Sequence, residues 1–193
     1  MYLYFVIPFN TFAIYYTVVC YHLRRMTKVF AKSIKSSTYL NLGKATQTYK
    51  ALKSLVAKID RELSFLMFTT TLFNACTMYL GIKSLLRSGE FPIIAQHISV
   101  WCLFIASYLS FIAMGTMASL VFEANANGLE KLKDAICNRF NITRSQMRVL
   151  LTDANDVSLT VWNIVPIRRS FIFGTIGAIL TYCVLIESLE KVP

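Results

Sequence analysis

Four stretches of the chain contain no Asp, Glu, Lys or Arg, and the charged residues crowd into the segments between them. The stretches are residues 1–23 (MYLYFVIPFNTFAIYYTVVCYHL), 63–82 (LSFLMFTTTLFNACTMYLGI), 91–122 (FPIIAQHISVWCLFIASYLSFIAMGTMASLVF) and 170–186 (SFIFGTIGAILTYCVLI). A helix rises about 1.5 Å per residue and a bilayer's hydrocarbon core is about 30 Å thick, so each stretch can cross, the last only just. The third is long for one crossing and short for two. Pro92 suits a first helical turn, which predicts one tilted helix over 94–119. The expected spans are about 1–23, 63–85, 94–119 and 170–189, with 24–62 and 123–169 on one side of the membrane and 86–93 on the other.

Helical spacing continues outside these runs. Leu52, Leu55, Val56, Ile59 and Leu63 recur at intervals of three and four, so the second helix is expected to begin near residue 45 as one long element. Leu129, Leu132, Ile136 and Phe140 repeat the pattern. Thr143 and Gln146 are spaced as a capping box for a helix containing Met147, Leu150 and Leu151. Apolar stripes of this kind need partners. Either they pack together as a helical layer beneath the membrane or they lie along the bilayer surface.

Composition supports the membrane assignment. Hydrophobic residues make up 55% of the 193 positions and charged residues 16%, against roughly 25% charged in globular domains. This excludes a water-soluble enzyme, a disordered chain, a collagen and a disulfide-built secreted scaffold. Of the 20 Lys and Arg, ten fall in 24–62 and seven in 123–169, while 83–90 holds only Lys83 and Arg87. Basic residues are retained in the cytoplasm, so both termini are expected outside. The first run is not a signal peptide, because its basic residues follow it rather than precede it. Met1 leads directly into apolar sequence, and the chain is therefore expected to be the C-terminal part of a longer protein. The net charge of +10 reflects the same sorting. The basic residues flank spans without interleaved aromatics, a pattern for lipid headgroups and not for nucleic acid.

Little in the sequence supports chemistry. His22 and His97 are far apart, and Cys20, Cys76, Cys102, Cys137 and Cys183 show no metal-ligand spacing. There is no glycine-rich phosphate loop, HExxH or GxSxG. No enzyme activity, cofactor or metal site is expected. Asn141-Ile142-Thr143 has the form of a glycosylation acceptor but falls on the expected cytoplasmic side.

The last span carries the most information. At about 100° per residue, Gly174, Gly177, Ala178 and Thr181 share a face, continued by Leu185, Ser188 and Leu189, with Ile176, Ile179, Leu180 and Cys183 opposite. A small-residue face is the common contact between membrane helices, which is the structural reading. The functional reading turns it toward a symmetry axis. Rings of Leu185 and Leu189 would then hold a narrow pore shut by dewetting, beside the hydroxyls of Thr181 and Ser188. Glu187 lies off this face near the outer edge, where it can reach water.

Residues 159–189, LTVWNIVPIRRSFIFGTIGAILTYCVLIESL, resemble the C-terminal signature of arthropod gustatory receptors in the insect chemoreceptor superfamily. In that family a basic and serine cluster leads into a final span ending in Thr-Tyr, five mostly apolar residues, Gln and Phe. Arg168, Arg169 and Ser170 match the cluster, Thr181 and Tyr182 the dipeptide, and Gly177 a position where glycine is common. The ending departs from the pattern: Glu187 replaces the fifth apolar residue, Ser188 stands for Gln and Leu189 for Phe.

The resemblance implies an all-α integral membrane protein whose four helices are the last four of a seven-helix chemoreceptor channel, with helical cytoplasmic extensions. It implies a multi-pass plasma-membrane protein with its C-terminus outside, as the basic residues also indicate. It further implies a ligand-gated cation channel, a homo- or hetero-tetramer of related subunits, gated by a small tastant. On that basis the pore is lined by Thr181, Leu185, Ser188 and Leu189. The cytoplasmic anchor would include the inner part of the second helix and about 145–167. There Asp153, Asp156, Arg168 and Arg169 either form ion pairs between helices or stay solvated. Tyr15, Tyr79, Trp101 and Tyr108 are the candidates for the tastant pocket, against the structural reading that membrane aromatics pack or anchor at the interface. A G-protein-coupled receptor is the alternative, although Asn163 and Pro166 form Asn-x-x-Pro ahead of the last span and not within it. A transporter or structural subunit is the third class, without the broken helix pairs of many transporters.

Overall fold

The charge-free runs form the middles of helices that continue well past them. The computed structural model describes residues 2–36, 42–86, 94–140, 159–161 and 164–190, and these are almost entirely helical. α1 spans Tyr2–Ser36, α2 Leu42–Leu86, α3 Ile94–Phe140 and α4 Arg169–Glu190. All four are long and apolar enough to cross a membrane. At about 1.5 Å per residue α2 and α3 reach about 70 Å, over twice the thickness of a hydrocarbon core. α1, α2 and α3 therefore extend beyond any bilayer at the end where the basic residues gather. Ile14, Val18, Leu66, Leu72, Ile105 and Leu109 point outward. Apolar side chains in that number suit lipid and not water, which fits a multi-pass membrane protein.

Helical spacing decides which side of each helix is buried. On α1 the inner line is Ala13, Tyr16, Cys20, Leu23, Thr27, Phe30 and Ile34; on α3 it includes Phe111, Met114, Ala118, Val121, Leu129 and Leu132. These lines pack along most of their length, and α2 closes the bundle with Val56 and Met67. Gly81 is a point of close approach between α2 and α3: a Cβ there would stand 2.6 Å from Phe104 Cδ2. At the basic end Phe30, Ile34, Tyr49, Leu129 and Leu132 form a second cluster. The extensions thus pack on each other rather than lying separately along a surface.

Two boundaries differ from the sequence expectation. α1 runs through residues 24–36, where Thr27, Phe30, Ala31 and Ile34 are buried on one side while Lys28 and Lys32 are exposed on the other. The span at 94–119 and the stripe at 129–140 are one helix. Within α2, Leu52 and Val56 are buried but Leu55 faces outward.

A short element precedes α4. β1, Thr160–Val161, pairs antiparallel with β2, Val165–Pro166, Thr160 opposite Pro166 and Val161 opposite Val165. Ile167 N–H donates to the Leu159 carbonyl at 2.9 Å and closes the hairpin. Leu159, Val161 and Ile167 insert into the core among α1, α2 and α3. α4 then packs against α2 and α3. The capping-box helix at 143–151 and Asp153 and Asp156 lie outside the described residues.

Candidate functional site

α4 has two faces of opposite character. Ile172 and Cys183 are buried and Ile176 and Ile179 half-buried against the bundle, whereas Gly174, Gly177, Ala178, Thr181, Leu185 and Ser188 are exposed. At about 100° per residue the exposed positions sweep about 200° of arc centred on Thr181, and Thr181, Leu185 and Ser188 fall within about 60° of one another. A Cβ on Gly174 or Gly177 would meet nothing within 4 Å. Leu180, expected on the packed side, lies at the margin of the exposed arc beside Phe173 and Val184. Its angular position places it at the edge of both faces.

The hydroxyls on this face are already satisfied within the helix. Thr181 Oγ1 donates to the Gly177 carbonyl at 2.9 Å and Ser188 Oγ to the Leu185 carbonyl at 2.8 Å. Each bond uses the hydroxyl proton and leaves the oxygen able to accept. The side chains of Leu189 and Glu187 lie outside the described residues.

The base of α4 holds the other motif residues. Arg169 grips Glu123 of α3 in a fork, Nε to Oε1 at 2.7 Å and Nη2 to Oε2 at 2.9 Å. Arg168 stacks over Phe122, its Cζ 4.9 Å from the ring centroid. Ser170 is exposed. Both arginines thus reach α3, and the ion-pair partner is Glu123, a residue the sequence reading left unassigned.

The aromatic candidates divide between sites. Trp101 and Tyr108 flank Phe104 on α3, with ring centroids 6.1 and 6.2 Å from it. Tyr15 is exposed on α1. Tyr79 of α2 and Tyr182 of α4 line a groove of about 450 Å³ together with Cys76, Thr175 and Ala178. The groove joins one pocket candidate to one motif residue. Tyr15, Trp101 and Tyr108 do not line it.

Two polar contacts have no signal in linear spacing. Asn74 of α2, buried at 1% exposure, directs Nδ2 at Ser110 Oγ of α3 at 3.5 Å, the long limit for a hydrogen bond. Asp60, three residues before the second charge-free run, accepts from Thr160 N–H and from Thr160 Oγ1, each at 2.7 Å. Burial raises the Asp60 carboxyl above its ordinary range, and the two Thr160 bonds pull it back. No protein-family model and no curated protein matches the chain.

Proposed function

We propose that the chain is a chemosensory receptor subunit of the gustatory type, acting as a ligand-gated cation channel in the plasma membrane. Its four helices correspond to the last four of seven, and copies or related subunits assemble as a tetramer. α4 stands at the axis and presents Thr181, Leu185, Ser188 and Leu189. The observation that carries this reading is the middle of the exposed arc of α4, where Gly174, Gly177, Ala178, Thr181 and Ser188 form a small-residue strip beside Leu185, flanked by the bulky exposed Phe173, Leu180, Tyr182 and Val184. A helix face meant only for lipid gains nothing from glycine, whereas a face that meets its own copies gains close approach. With the basic extensions in the cytoplasm, a small tastant would arrive from outside near Tyr15, Tyr79, Trp101 and Tyr108.

Cation flux into liposomes carrying the purified full chain tests the proposal. Tastant-dependent flux that is lost on omitting protein supports it. Sealed liposomes under a broad panel of tastants, together with a C-terminal tag that stains only in permeabilised cells, would favour the G-protein-coupled alternative.

A further inference from the structure

The Asp60 carboxylate joins two parts of the fold a hundred residues apart. Both of its oxygens are used on one residue: Oδ1 accepts Thr160 N–H and Oδ2 accepts Thr160 Oγ1, each at 2.7 Å. Bonds of this length to an ionised group are among the stronger hydrogen bonds in proteins. Around it, Leu159, Val161 and Ile167 are plugged between Tyr16, Cys20 and Leu23 of α1, Val56 of α2 and Met114 of α3.

From Thr160 the chain reaches α4 without slack. Ile167 N–H closes on the Leu159 carbonyl, Arg168 N–H donates to the Pro166 carbonyl at 3.0 Å, and Phe171 N–H donates to the Arg168 carbonyl at 3.0 Å in the first turn of α4. The hairpin is therefore a short staple with Asp60 at one end and α4 at the other. Packing alone does not call for a carboxylate here, because the neighbours Val56, Ile59 and Leu63 already supply the apolar contact. A half-buried acid at such a joint is better suited to fixing one geometry than to adding stability.

We propose that Asp60 is a positioning residue for α4: its paired bonds to Thr160 latch the hairpin into the bundle and fix the rotation of α4. The inference rests on the channel reading for its consequence, which is that the latch holds the resting state. With the latch open, α4 can turn at its base, and the Leu185 position no longer stays in register between copies.

The test uses the full chain in lipid nanodiscs and in liposomes. Spin labels at the exposed positions Ser54 on α2 and Ser170 on α4 report the seating of α4. Thr160→Val removes the hydroxyl bond at nearly constant shape, and Asp60→Leu removes both acceptors. Thr160→Ser keeps both bonds. Asp60→Asn keeps them in neutral form, its oxygen accepting from the Thr160 N–H and its amide donating to the hydroxyl. The expected result is a broadened Ser54–Ser170 distance distribution for Thr160→Val and Asp60→Leu, and a narrow one for wild type, Thr160→Ser and Asp60→Asn, at unchanged helix content. Resting cation flux should rise about tenfold in the first pair only, the scale set by losing one bond to a charged group. Identical distance distributions in all five proteins would overturn the latch. So would broadening in Thr160→Ser, which would mark general loosening. Absent flux in every protein with the spectroscopic split intact would remove the channel reading and leave the latch supported.

Discussion

Ile172 of α4 is seated directly on Gly115 of α3. A Cβ on Gly115 would lie 2.8 Å from Ile172 Cγ1 and 3.0 Å from its Cδ1, and Ile172 is buried there with Met78 and Phe111. The packed face of α4 thus depends on a missing side chain in its neighbour, while the glycines on α4 itself face open space. The two sets of glycines should respond differently to substitution.

Gly115→Val is expected to push α4 off α3 and to destabilise the solubilised chain by about 1–3 kcal/mol, the usual cost of overpacking. Gly81→Val should do the same between α2 and α3, because Phe104 Cβ, which cannot swing away, would lie 2.8 Å from the added atom. Gly177→Ala should leave the unfolding temperature of the isolated chain unchanged and weaken only the association of copies. Thermal unfolding in detergent and size measurement in nanodiscs read the two effects separately.

Asn74→Ala should cost about 0.6 kcal/mol and no more than about 1.7 kcal/mol, the range measured for hydrogen bonds between membrane helices. The 3.5 Å separation from Ser110 places it toward the lower figure. Reversible unfolding in bicelles of the single variants and of Asn74→Ala with Ser110→Ala gives the coupling, which should be smaller than either single effect.

Glu123→Gln removes the carboxylate held by Arg169. Both side chains reach solvent, at 68% and 37% exposure, so the loss in stability should stay below about 1 kcal/mol and shrink further in high salt. A larger, salt-independent loss would mean that the fork, and not Ile172 with the hairpin, carries the seating of α4.

Leu185→Ser should raise the resting conductance of the assembled protein, since a polar ring at that level wets a narrow passage that leucine keeps dry. The comparison is Leu109→Ser, an equally outward position on α3. Equal conductance in both variants and wild type would count against a gate at Leu185.

The fold was largely legible because membrane helices exclude charge, and the four runs free of Asp, Glu, Lys and Arg mark themselves. The two faces of α4 were legible too, since 100° spacing separates Gly174, Gly177 and Thr181 from Ile176 and Cys183. α1 beyond residue 23 was not, because Lys28, Lys32 and Lys35 alternate with buried Thr27, Ala31 and Ile34 and mask their period. The hairpin escaped because two-residue strands leave too short a pattern to read. Asp60 with Thr160, Asn74 with Ser110 and Arg169 with Glu123 are contacts between distant segments. No local spacing encodes them, and only the packing of α2, α3 and the hairpin brings them together.

In the proposed channel, the Thr181 face of α4 meets other copies of α4 and not lipid. Oxidative crosslinking of Thr181→Cys tests it most directly, in the full chain with the exposed Cys76 and Cys102 replaced by Ser and with Leu109→Cys as the comparison. Disulfide-linked pairs of chains are expected for Thr181→Cys and none for Leu109→Cys. Thr181→Cys that stays monomeric while a bilayer-dissolved quencher reaches it as readily as Leu109→Cys would contradict it.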